Sequence, residues 1–139
     1  MALKMTIDEM TAFFDEVFPQ VKGDFTVEAL EEMGVTMRLN VSERHLRPGG
    51  TVSGPSMFGL ADVAVYVAVL GMIGPEALTV TTNCSIDFMR KPVANADLIA
   101  KCKLLKLGRA LAVGDVLLFS EGSDKPVARA SLTYSIPPK

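Results

Sequence analysis

The sequence has a single histidine, His45, only two cysteines, and 14 basic residues against 16 acidic ones in 139. Each shortage excludes something. A net charge of −2 leaves no basic excess to neutralise phosphate backbones, so nucleic acid is not an expected partner. Cys84 and Cys102 lack CxxC spacing, which argues against a redox pair and for buried free thiols in a reducing compartment. The N-terminus carries Asp8, Glu9, Asp15 and Glu16 and has no basic-then-apolar leader, so the expected location is cytoplasmic. No internal repeat, low-complexity tract or linker breaks the chain. One domain over 1–139 is expected, large enough for a real core. No metal or cofactor is expected.

What the chain does have is one long apolar stretch, residues 53–73, with a single carboxylate in it, Asp62. It opens at Gly54-Pro55, where proline suits the first turn of a helix, and runs into Gly74-Pro75, a stop signal. A strand reading competes, because Val63, Val65, Val67 and Val69 alternate with Ala64, Tyr66, Ala68 and Leu70. Both sets are apolar, so the alternation separates nothing, and the run is long for a strand. A helix over 54–73, buried on nearly every face, is the reading. It is short for a membrane span and carries Asp62 near its start, so no membrane is expected. An isolated acid inside such a helix demands a reason, since burying an unpaired carboxylate is costly.

Residues 6–18 read as an amphipathic covering helix. Thr6 and Glu9 form a capping box and Met5 with Met10 a hydrophobic staple; Ile7, Met10, Phe13, Phe14, Val17 and Phe18 share one face. Residues 24–42 read as a strand pair with a bend or bulge at Gly34, its second member alternating Val35, Met37, Leu39 and Val41 with polar residues. Residues 43–52 form a Pro-Gly-Gly loop in which His45, beside Arg44 and Arg47, reads as a surface residue. Four strands follow the long helix. Their inward sets are expected to be Val80, Thr82, Cys84, Ile86 and Phe88; then Leu98, Ala100, Cys102 and Leu104; then Leu111, Val113, Leu117 and Phe119; then Ala128, Ala130, Leu132, Tyr134 and Ile136. Turns between them suggest an antiparallel meander. An antiparallel sheet curled around one apolar helix satisfies this layout, an α+β architecture of hotdog type.

The segment Gly50-Thr-Val-Ser-Gly-Pro-Ser-Met-Phe-Gly-Leu-Ala-Asp62-Val-Ala resembles the signature of PaaI-type hotdog thioesterases, a His-Gly-Gly triplet followed by an acid nine residues after the His. Here Ser53-Gly54-Pro55 occupies the triplet and Asp62 falls at that spacing. Val80-Thr81-Thr82 through Phe88-Met89-Arg90-Lys91-Pro92, Leu107-Gly108-Arg109 and Val127-Ala128-Arg129-Ala130 resemble later parts of the family, so the likeness covers about 25–136. The chain departs from the pattern at Ser53 and Pro55, and at Arg47, where the family commonly has a polar residue, often Asn.

The resemblance implies hydrolysis of an acyl-CoA or related thioester. It makes the Gly54 backbone N–H, with Ser56 as a second candidate, the oxyanion donor at a helix N-terminus, where N–H groups are open and the dipole is positive. Asp62 becomes general base or nucleophile, and Thr81 a hydroxyl that orients water. Met57, Phe58 and Ala61 line the expected acyl pocket, with Ser53 and Ser56 as further substrate-binding candidates; Arg90, Lys91, Lys106 and Arg109 are candidates for the nucleotide phosphates. Gly54 and Asp62 stand eight residues apart, roughly 12 Å along a helix, too far to act on one carbonyl. A two-fold homodimer would pair Gly54 of one chain with Asp62 of the other, and the family's dimers often pair into homotetramers. A non-catalytic acyl-CoA-binding or sensing hotdog protein is the alternative. A hotdog dehydratase ranks last, because it needs a His with its acid and His45 lies off that pattern.

Overall fold

A computed structural model describes residues 2–138. The chain forms α1 (Ile7–Val17), β1 (Phe25–Glu31), β2 (Gly34–Leu39), α2 (Gly54–Ile73), β3 (Val80–Phe88), β4 (Leu98–Leu107), β5 (Leu111–Ser120) and β6 (Pro126–Ser135), with 3₁₀ turns at Pro19–Val21 and Glu43–His45. One six-stranded sheet, ordered β1-β2-β4-β5-β6-β3 and antiparallel at every pairing, wraps α2. This is the α+β hotdog architecture.

Contrary to the sequence expectation, α2 at twenty residues is long and apolar enough to cross a membrane, yet thirteen of those residues are buried within the protein. Leu60, Ala64, Val65, Val67, Val69 and Leu70 have no accessible surface, so the helix is the core on which the strands close. Ser53 caps its start, and Gly74 ends it with φ of 92°, which an L side chain rarely adopts.

Several expectations need correction. β4, β5 and β6 form a meander, but β3 does not precede them in space; it lies at the far edge, paired only with β6. The β3–β4 connection, 89–97, is no tight turn, and it carries the chain across the end of the sheet. In β5 the inward set is Ala112, Gly114, Val116, Leu118 and Ser120, while Leu111 and Leu117 are more than 40% exposed. The inward positions must be small for α2 to approach: a Cβ on Gly114 would stand 3.2 Å from both Val65 methyls. Both faces of β5 are apolar, so hydrophobicity alone misassigned them.

Gly34 is neither bend nor bulge. The turn is made at Met33, whose φ is 60°, and the bulge lies in β1 between Val27 and Ala29. Gly34 opens β2, where a Cβ would meet the Cys102 carbonyl at 3.0 Å.

α1 is capped as expected, Thr6 N–H donating to Glu9 Oε1 (2.9 Å) and Glu9 N–H to Thr6 Oγ1 (3.1 Å). It buries only Met10 fully, leaving Ile7, Val17 and Phe18 exposed.

His45 is not on the surface. It is buried, and its Nδ1 accepts the Ser42 N–H at 2.9 Å. That bond requires a neutral ring with its proton on Nε2, which faces Asp24 at 3.8 Å, too far for a hydrogen bond. Arg44 pairs with the same Asp24 oxygen. Burial first, and Arg44 second, hold the His45 pKa below its ordinary value.

Candidate active site

Asp62 sits in the third turn of α2, half-buried, its side chain directed at the β3–β6 edge. Thr81 Oγ1 donates to Asp62 Oδ1 at 2.5 Å and Tyr134 OH to the same oxygen at 2.6 Å. The Tyr134 hydroxyl also lies 2.8 Å from the Asp62 backbone carbonyl. These contacts explain how the fold tolerates an acid in its core helix.

A β-bulge brings the two hydroxyls together. Simple alternation puts Thr81 on the opposite face of β3 from Cys84 and Ile86. The register slips between Thr81 and Asn83, so that Thr81 pairs with Tyr134 and Cys84 with Leu132. Thr82 is the extra residue, and Thr81 turns inward beside Asp62. Tyr134 is an inward residue of β6 with 3% of its surface exposed. Burial first, and the Asp62 charge second, raise its phenol pKa far above the ordinary value. Sequence reasoning took Tyr134 for core filling; the available signal was its polar tip, since a buried tyrosine hydroxyl needs a partner.

A cleft of about 460 Å³ opens beside Asp62, walled by Phe18, Val63, Tyr66, Leu78, Thr81 and Tyr134. Tyr66 stands 6.0 Å from the Tyr134 ring and 5.6 Å from Phe14, and its hydroxyl donates to the Ala77 carbonyl. The walls thus combine three aromatic rings with aliphatic and hydroxyl side chains, and come from α2, the loop after it, β3, β6 and the end of α1.

The other end of the candidate site is the start of α2. Pro55 has no N–H. Ser56 N–H is taken by Ser53 Oγ at 3.3 Å, and Met57 N–H by the Ser53 carbonyl at 3.0 Å. Gly54 N–H has no hydrogen-bond partner among the described residues, which leaves it the one open donor of the first turn. Ser56, the second candidate donor, is already used. The Ser53 hydroxyl points to Ser56 Oγ at 3.1 Å, and the Phe88 ring covers Gly54, 3.4 Å from where a Cβ would be.

The remaining candidates are scattered. Met57 and Ala61 are packed in the core, while Phe58 is 36% exposed. Arg90 and Lys91 follow β3 at the Gly54 end, where the Arg90 guanidinium donates to the Pro126 carbonyl. Lys106 and Arg109 flank the β4–β5 turn at the opposite end of the sheet. The chain brings together Asp62, Thr81 and Tyr134, and separately Ser53, Gly54 and Ser56, but not the two groups.

Residues 49–127 match the family model described as the thioesterase superfamily. The chain belongs to that superfamily. A candidate thioesterase from a Silicibacter species is 63% identical over 99% of this chain and 96% of its own, with a TM-score of 0.93. A variant of the phenylacetic acid degradation protein PaaI from Thermus thermophilus is 28% identical over 86% and 99%, with a TM-score of 0.73. A hypothetical thioesterase from Streptococcus pneumoniae, solved with coenzyme A, shares the fold at 20% identity over 94% and 98%, with a TM-score of 0.78. No curated protein matches the sequence significantly. The chain is thus a PaaI-type hotdog thioesterase, a thioester hydrolase.

Proposed function

We propose that this thioesterase hydrolyses acyl-CoA thioesters at sites shared between two subunits of a homodimer, with Asp62 as the acid of the reaction. The observation that carries the reading is the division of the site: a carboxylate held by two hydroxyls over an open cleft, and an unpartnered helix N–H roughly 12 Å along the same helix. A carbonyl about 3 Å from the Gly54 N–H of one subunit needs the Asp62 of the other. β3 favours the pairing. It is an edge strand exposing Val80 and Phe88, with Met89 exposed just beyond its end, and an uncovered apolar edge invites a second copy. Pairing of dimers into a tetramer and residence in the cytoplasm, where Cys84 and Cys102 stay reduced, complete the reading.

In the reaction the Gly54 N–H and the positive end of α2 stabilise the oxyanion as the thioester carbonyl is attacked. Asp62 takes a proton from water as the water oxygen bonds to the carbonyl carbon, or attacks that carbon itself to give an anhydride that water then opens. Collapse of the tetrahedral intermediate expels the thiolate. Thr81 orients the carboxylate, and Ser53 and Ser56 keep the helix start in place. The acyl group lies against Phe18, Tyr66 and Leu78, with Met57 and Phe58 contributing at the Gly54 end. Arg90, Lys91, Lys106 and Arg109 are the candidate phosphate ligands, and the coenzyme A bound to the pneumococcal relative supports a CoA thioester.

The test is thiol release from short, medium and aryl acyl-CoAs by wild type and Asp62→Asn. Turnover that Asp62→Asn cuts by about 10²-fold or more is expected; equal activity in the variant refutes the role of Asp62. Subunit sharing is tested with Gly54→Pro, which deletes the one open N–H. Mixing it with Asp62→Asn gives hybrid dimers with one intact site in two, and so about a quarter of wild-type activity from two inactive proteins. No recovery on mixing refutes the shared site.

A further inference from the structure

We infer that Tyr134 is a positioning residue that reserves Oδ2 of Asp62 for the chemistry. The inference rests on the proposed role of Asp62. An ionised carboxylate oxygen offers two in-plane lone pairs. On Oδ1 both are engaged, by Thr81 at 2.5 Å and Tyr134 at 2.6 Å, whereas Oδ2 accepts no hydrogen bond from the described residues. A proton removed from water therefore ends on Oδ2, and a carboxylate attacking directly does so through Oδ2. The phenol proton goes to the charged oxygen in preference to the backbone carbonyl at 2.8 Å, because hydrogen bonds to ions are the stronger. Through that bond β6 holds the side chain of Asp62. Thr81 and Tyr134 face each other across β3 and β6, so the two donors move as one unit with the sheet.

Tyr134→Phe removes one oxygen and keeps the ring against Tyr66. With acyl-CoA as substrate we expect kcat to fall roughly 10- to 100-fold, as for loss of a hydrogen bond to a charged group, with KM unchanged within about twofold. In an Asp62→Asn background the same change should cost less than about twofold, because the two groups act together. An unchanged kcat in Tyr134→Phe, or an equal loss in both backgrounds, overturns the positioning role while leaving that of Asp62 intact. Full activity in Asp62→Asn alone refutes the underlying reading instead. A second measurement needs no folded Tyr134 variant. The chain has two tyrosines, so labelling with 3-fluorotyrosine gives two ¹⁹F lines. Asp62→Asn should shift the Tyr134 line, and an unmoved line overturns the contact.

Discussion

Gly114→Ala tests how closely the sheet grips the helix that carries Asp62. Gly114 faces inward on β5, and a Cβ there would stand 3.2 Å from both Val65 methyls and 3.3 Å from Leu104 Cδ2. Ordinary carbon contacts lie at about 3.5–4.0 Å, so several tenths of an ångström must be found. They are not found by rotation. Val65 has no accessible surface and Leu104 only 3%, and a helical valine has one strongly preferred rotamer. The helix itself must move. Overpacking of this kind costs about 1–3 kcal/mol, against about 0.4–1 kcal/mol returned by restricting the unfolded chain. The difference runs from about 0 to 2.6 kcal/mol and centres on about 1.3 kcal/mol, a fall in Tm of roughly 4 °C for a chain of this size. It is read by calorimetry at fixed protein concentration, since association would otherwise shift the midpoint. Val65 is three residues from Asp62, so the displacement also loosens the 2.5 and 2.6 Å hydrogen bonds, and kcat should fall with Tm. Val65→Ala should hurt the Gly114→Ala protein less than it hurts wild type, because it vacates the space the new methyl needs. An unchanged or higher Tm, or strict additivity of the pair, refutes the tight contact.

Three further outcomes follow from other parts of the structure. His45 is held neutral by burial and by Arg44, so the unfolded chain takes up its proton near pH 6.5 while the folded chain resists; stability should fall as pH drops below that point, and denaturant titrations of His45→Gln should show a flatter dependence. Thr6→Ala removes half of the reciprocal α1 cap and should lower stability by about 1 kcal/mol, seen as a lower urea midpoint with unchanged slope. Burial, and then Asp115, push the Cys102 thiol up to about 12, so at pH 8 a thiol reagent should label the half-buried Cys84 first and reach Cys102 only on unfolding.

The elements that strong local signals specify were legible in the sequence. The capping box at Thr6 and Glu9, the Gly-Pro brackets of α2 and the alternation of β4 and β6 depend on residues a few positions apart. What stayed hidden depends on pairing across the chain. The order that puts β3 beside β6 is set by a crossover that no local pattern announces. The face of β5 was misread because its small inward residues matter for what they leave room for. Thr81 was singled out by resemblance, but the reason it reaches Asp62 is a bulge, and a one-residue slip inverts every face assignment beyond it. Tyr134 was invisible as a site residue because its partner is 72 positions away.

The departures from the family triplet are also clearer in three dimensions. Ser53 and Pro55 look like losses when read along the chain, yet between them they account for every N–H of the first turn except one. Pro55 supplies no donor, Ser53 occupies those of Ser56 and Met57 through its hydroxyl and carbonyl, and Gly54 is left open. An oxyanion at this helix start then has a single backbone donor assisted by the helix dipole. No neighbouring N–H can substitute for it without breaking the cap. A donor preset in this way suits an oxyanion whose charge develops only in the transition state. Under the proposed mechanism this places more weight on the carboxylate across the site. With one donor on the oxyanion side, the orientation of Asp62 by Thr81 and Tyr134 would then bring the attacking oxygen onto the carbonyl.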